Sequence, residues 1–120
     1  MLGSGESTAT LITGQTVGGW IDLDGTGTIA ISDSYNVSSI TDEATGSWSV
    51  NWDADCDNAN YALTGMCEDQ NYGGTVSIWG NSAKAAGTVR LSVHDGGGSG
   101  GGAHTQVDAD VLCLIAFGDF

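Results

Sequence analysis

Two histidines, His94 and His104, bracket the tract DGGGSGGGA at Asp95 to Ala103. Imidazole titrates near neutral pH and ligates metals, and a long loop can bring two strand ends together. Three copies about an axis would then complete a metal site. Two histidines at loop mouths more simply read as exposed hydrogen-bonding residues. Within the tract, Gly97-Gly98-Ser99-Gly100-Gly101 matches the G-x-S-x-G pattern of a hydrolase nucleophile elbow. That elbow needs a helix immediately after the serine, and a run of glycines cannot supply one, so Ser99 reads as a loop residue. Asp53-Ala54-Asp55-Cys56-Asp57 opens like a calcium loop but has Asn58 and Thr64 where an EF-hand requires Gly and Glu. A solvated acidic loop is the simpler reading, with a weak non-EF cation site as the alternative. Gly25-Thr26-Gly27-Thr28-Ile29-Ala30 fits a loose dinucleotide fingerprint. The residues that follow are β-branched and alternating, so no helix N-terminus is present to hold a pyrophosphate. Asn36-Val37-Ser38 fits a glycosylation acceptor and reads as a turn and strand start. No catalytic residue, resident metal or cofactor is expected from these patterns.

Aromatic residues offer binding chemistry instead. Trp20, Trp48 and Trp52 occupy alternating strand positions and read as core. Trp79, opposite in phase to Val76 and Ile78, and Tyr72, in a Gly-rich loop, are expected at the surface. There an aromatic ring supplies apolar contact while polar neighbours direct hydrogen bonds, which suits carbohydrate or protein surfaces. The expected contact set is Tyr72, Trp79, His94, Ser99 and His104, on outward-facing loops 66–74, 80–86 and 95–104.

The elements that must position these residues are short strands. WIDLDGTGTIAISDSYNVSSITD, Trp20 to Asp42, places an alternating strand, a Gly-Thr-Gly turn, a second alternating strand and a third short segment in sequence, the pattern of β-hairpins. Trp48, Val50 and Trp52 alternate with polar residues, and further strands are expected over 61–66 and 75–79. In 87–94, Val89, Leu91 and Val93 should point inward. The last strand alternates at Val107 and Ala109, then is apolar on both faces from Val111 to Phe117, with Cys113 reading as a small core residue. The predicted fold is all-β, an antiparallel two-sheet β-sandwich of about seven or eight strands. Residues 1–16, small and polar with only Leu11 and Ile12 to bury, form an N-terminal arm, and 17–120 form the sandwich domain.

A chain of 120 residues with 20 Gly and no Pro accommodates one domain. Fifteen acidic residues against Lys84 and Arg90 leave a net charge of -13. Binding nucleic acid requires cationic groups that displace counterions, so neither nucleic acid nor an anionic membrane is an expected partner. No apolar run is long enough to insert in a membrane, and MLGSGESTAT lacks the basic and apolar regions of a signal peptide. Three cysteines argue against a disulfide framework and for reduced thiols, with a Cys56–Cys67 pair as the alternative. A final strand apolar on both faces in so small a sandwich is either central or covered by another copy of the chain. The second reading makes Leu112, Leu114 and Phe117 the expected contacts between copies.

Four blocks, DGTGTIAI after Trp20, SYNVSSITD, GSWSVNW and NANYAL, stand in an order and spacing that resemble a module of tailed-bacteriophage virion proteins. The resemblance covers residues 19–120 and is strongest over 20–63; it departs from the usual pattern at Glu43, Ala44 and the Asp-rich 53–57. It implies a homotrimeric structural protein of the virion, made in the host cytoplasm. In that family the module occurs at the distal end of tail fibres or in short stand-alone proteins beside tail genes, which implies a tip domain that would meet a host surface glycan or protein. Residues 1–16 would attach it to other virion proteins, and the receptor would meet Tyr72, Trp79, His94, Ser99 and His104. A capsid decoration protein that stabilises the phage head is the alternative.

Overall fold

The computed structural model describes residues 17–68, 74–80, 84–96 and 104–120. The arm at 1–16, Tyr72 and Ser99 lie outside the described residues. The described chain is all-β, with nine strands and no helix: β1 (Val17–Asp24), β2 (Ala30–Tyr35), β3 (Val37–Ala44), β4 (Ser47–Trp52), β5 (Ala62–Cys67), β6 (Thr75–Ile78), β7 (Lys84–Ala85), β8 (Thr88–His94) and β9 (Leu112–Phe117). They form two antiparallel sheets. The first has order β2-β1-β9-β5; the second has order β3-β4-β8-β6, with the short β7 also on β8. The count exceeds the expected seven or eight because β7 adds a short pairing on β8.

The division between β2 and β3 moves the chain from one sheet to the other, and it turns at Asn36. This residue takes a positive φ of 55°, a conformation asparagine tolerates better than other non-glycine residues. Its amide secures the corner. Nδ2 donates to the carbonyls of Gly18 (2.8 Å) and Ala54 (3.0 Å), and Oδ1 accepts from the Ala54 N–H at 2.7 Å. The Asn-Val-Ser start is therefore a sheet-crossing corner. In the preceding Gly-Thr-Gly turn the two glycines act differently. Gly27 has φ 57° with open space around it, whereas a Cβ on Gly25 would strike the Trp48 ring.

Alternation decides the core. Ile21 and Leu23 of β1 and Leu112, Leu114 and Ala116 of β9 face Trp48, Val50 and Trp52 of β4 and Val89, Leu91 and Val93 of β8, all nearly or fully buried. Cys56, Tyr61 and Ala109 close the same core from the connections. The expected inward set of β8 matches. The last strand is shorter than expected: it begins at Leu112, and the stretch before it lies across the ends of both sheets. There Gln106 bridges His94, the Val107 N–H bonds the Val93 carbonyl, and the Ala109 carbonyl accepts from Gly25. Side-chain alternation in an extended segment buries Ala109 without making it part of a ladder.

Three further expectations are corrected by the register. Trp20 pairs with Ile115 and points away from the core, because Ile21 and Leu23 take the inward phase. Cys113 also faces outward, opposite Asp22 on β1 and Met66 on β5. Leu112 and Leu114 are core residues, 0% and 2% exposed, and are unavailable to another copy of the chain. Of the three expected contacts, Phe117 alone is exposed.

Candidate functional site

The outer face of the first sheet is the surface that departs most from what an acidic chain requires. Its rows follow the register. Val17, Phe117 and Ala62 form one row; Tyr35, Trp20, Ile115 and Thr64 form the next; Asp33, Asp22, Cys113 and Met66 form the third. Val17, Tyr35, Ile115, Phe117 and Met66 are all exposed, and Trp20 is half-buried between Tyr35 and Ile115. A contiguous aromatic and aliphatic face of this kind makes it a candidate interaction surface. It is edged on one side by Asp22 and Asp33. On the other it runs into a cleft of about 290 Å³ between Asn58, Asn60, Phe117 and Asp119. Burial and the adjacent Asp22 carboxylate push the Cys113 thiol above its ordinary value, so it is protonated near neutral pH and behaves as a small apolar group. Parity carries the signal that locates Trp20: it shares its phase with Asp22 and Asp24, not with Ile21. For β9 both phases are apolar, and only pairing with β1 separates them.

The outer face of the second sheet is polar. Ser39 and Thr41 of β3 each accept a hydrogen bond from the Asn51 amide, at 3.1 and 3.2 Å, and the Thr88 hydroxyl donates to Asn51 Oδ1 at 3.0 Å. Ser49 donates to Glu43 at 2.6 Å, and Ser77 and Ser92 lie 3.2 Å apart. One aromatic residue joins this face. Trp79 is 38% exposed, extends the β6 ladder through its N–H to the Arg90 carbonyl at 2.9 Å, and has the Arg90 guanidinium carbon 4.6 Å from its ring centre. Trp79 is thus at the surface, as expected from its phase.

The two histidines take separate roles at the neck of the glycine tract. His94 is half-buried and pairs with Thr75 on one side and Gln106 on the other. His104 is exposed, and its Nδ1 donates to the Asp95 carbonyl at 2.9 Å. The Asp95 carboxylate accepts from the Thr105 N–H, also at 2.9 Å, and closes the neck. Among the described residues, no group of three or more His, Cys, Asp or Glu side chains converges to hold a metal. The Asp53–Asp57 loop is held through its backbone: the N–H groups of Asp53, Cys56 and Asp57 bond the carbonyls of Asn36, Ala86 and Asp119. Its three carboxylates are exposed. Cys56 is a free buried thiol, so the alternative pairing with Cys67 is not made. No helix among the described residues is long and apolar enough to cross a membrane.

The contact set expected from sequence is therefore not one site. Trp79 lies on the second sheet's outer face, and His94 and His104 lie at the neck of the glycine tract. The expected contact face on the last strand takes the opposite phase from Leu112 and Leu114: it carries Ile115 and Phe117, with Trp20, Tyr35 and Met66 from the neighbouring strands. No protein-family model, curated protein or solved structure matches the chain.

Proposed function

We propose that this chain is a non-enzymatic structural subunit of a tailed-phage virion, a tip domain of a tail fibre or related appendage that meets the host surface. It assembles as a homotrimer, with the outer face of the first sheet as the contact between copies. The observation that carries this reading is the exposed face formed by Tyr35, Ile115, Phe117, Met66 and Val17 on a chain of net charge -13. Copies so charged repel one another, and burial of that apolar face supplies the opposing free energy, about 25 cal/mol per Å². The virion assignment rests on the resemblance of the DGTGTIAI, SYNVSSITD, GSWSVNW and NANYAL blocks. In this arrangement residues 1–16 attach the subunit to the particle, and the second sheet's outer face and the glycine tract are left to meet a host glycan or protein.

Quantitative mass spectrometry of purified particles tests the assignment through the copy number of this chain relative to the major capsid protein. A low ratio is the expected result. A ratio near parity would replace the appendage reading with that of a capsid decoration protein, and absence from particles would overturn both.

A further inference from the structure

We propose that Trp79 and Arg90 form a binding site for a carboxylate-bearing sugar on the outer face of the second sheet. For its biological setting the proposal rests on the attachment reading; its chemistry rests on how the chain's two cations are used.

Lys84 is committed internally. Its ammonium donates to the Tyr61 carbonyl at 2.7 Å and lies 4.9 Å from the centre of the Tyr61 ring. Arg90 is held differently. Nε donates to Ser47 Oγ at 2.9 Å, and the guanidinium lies over Trp79, 4.6 Å from the ring centre. The two terminal nitrogens make no hydrogen bond to any described residue. In a chain with 15 carboxylates, no described carboxylate comes within ion-pair distance of Arg90; nearby Glu43 is engaged with Ser49 instead. The cation–π contact and the Nε bond thus hold the guanidinium while its two terminal nitrogens keep no described partner, and a guanidinium with both terminal nitrogens free takes a carboxylate in two parallel hydrogen bonds.

The surroundings select a sugar among carboxylates. One face of the Trp79 ring carries the Arg90 guanidinium, and the part of the ring left exposed offers apolar contact to the C–H groups of a pyranose. Thr75 and Ser77 beside it are exposed, and Ser39 and Thr41 continue the hydroxyl-bearing face across the sheet. A hydroxyl retains donor and acceptor capacity after one hydrogen bond, so this surface matches the hydroxyls around a sugar ring. The net charge of -13 disfavours a densely charged polyanion such as nucleic acid. One carboxylate per sugar, set among neutral hydroxyls, suits the single available guanidinium.

The test is titration of the ¹⁵N-labelled full chain with a tetrasaccharide of alternating glucuronic acid and N-acetylglucosamine, following the Trp79 indole and Arg90 Nε–H signals. Chitotetraose, neutral and of the same length, and a Glu-containing tetrapeptide are the comparisons. The acidic tetrasaccharide should shift both signals and bind at least about tenfold more tightly than chitotetraose or the peptide. Arg90→Lys, which keeps the charge and loses the fork, and Trp79→Ala should each weaken it by a similar factor, with dispersed spectra showing that the fold persists. Equal binding of the neutral sugar, equal binding of the peptide, or no shift at about 10 mM acidic sugar would overturn the proposal. The wild-type comparison stands even if a variant fails to fold. Copy number in particles is measured independently, so a negative titration beside a low copy number would reject this site and retain the appendage assignment; the reverse pair of results would do the opposite.

Discussion

The Tyr61 hydroxyl accepts the indole N–H of Trp52 at 3.3 Å and shares its own proton between the carbonyls of Ala85 (2.9 Å) and Thr88 (3.1 Å). The rings meet edge to face, with centroids 6.1 Å apart, and Phe120 packs against both at 5.5 Å. One phenol thereby ties the long connection after β4 to β7 and β8. Tyr61→Phe keeps the packing and leaves a buried indole N–H and two carbonyls short of a partner. A loss of about 1–3 kcal/mol is expected, measured as a lower urea midpoint with an unchanged slope.

Alkaline pH should expose the same contacts. Burial pushes the Tyr61 phenol above its ordinary value of 10.0, and burial with the neighbouring Asp22 pushes the Cys113 thiol above 9.0. Both shifts favour the protonated form in the folded state. Their contribution is fully present below those values and is lost as pH rises through the folded ones, because the unfolded chain releases its protons first. Stability from urea titrations should therefore begin to fall above pH 9.0 and fall more steeply above 10.0. Cys113→Ser should remove the first decline and Tyr61→Phe the second.

At the acid end, the hydroxyl and N–H of Thr26 bond the Asp24 carboxylate at 2.6 and 2.9 Å and hold its pKa below 3.8. A depressed carboxylate stabilises the fold above its unfolded value and ceases to do so as pH falls through the folded one. In Thr26→Val the side-chain bond is lost, and the Asp24 titration followed by carboxyl ¹³C NMR should move upward toward 3.8.

The corner at Asn36 combines a positive φ of 55° with three amide hydrogen bonds. Asn36→Gly keeps the conformation and loses the bonds; Asn36→Ala loses both. Thermal melts should rank wild type above Asn36→Gly above Asn36→Ala, the two variants separated by about 1 kcal/mol.

Adjacent residues of β9 should respond in opposite ways. Ile115 is 38% exposed on the outer face and Leu114 is 2% exposed in the core. If the proposed trimer forms through this face, Ile115→Asp should give a monomer by light scattering while leaving the fold intact. Leu114→Ala should cost about 2–5 kcal/mol of folding stability. A wild-type chain that is monomeric at high concentration would rule out the proposed trimer.

Strand grammar was legible wherever one phase is apolar and the other polar. Val89, Leu91 and Val93 against Arg90 and Ser92 admit one solution, and period-2 geometry imposes it. The all-β, two-sheet class and the surface position of Trp79 followed from the same alternation. Trp20 was also legible, through its shared parity with Asp22, but its alternating strand position, like those of Trp48 and Trp52, reads as core. Tertiary structure alone decided the rest. In Leu112 to Phe117 both phases are apolar, so local sequence contains no preference; the register with β1, which sets Leu114 beside Ile21 and Cys113 beside Asp22, turned one phase inward. Likewise, which of two cations keeps free donors depends on neighbours 23 and 43 residues away in sequence, Tyr61 for Lys84 and Ser47 for Arg90. Such long-range pairings arise only when strands distant along the chain are brought side by side.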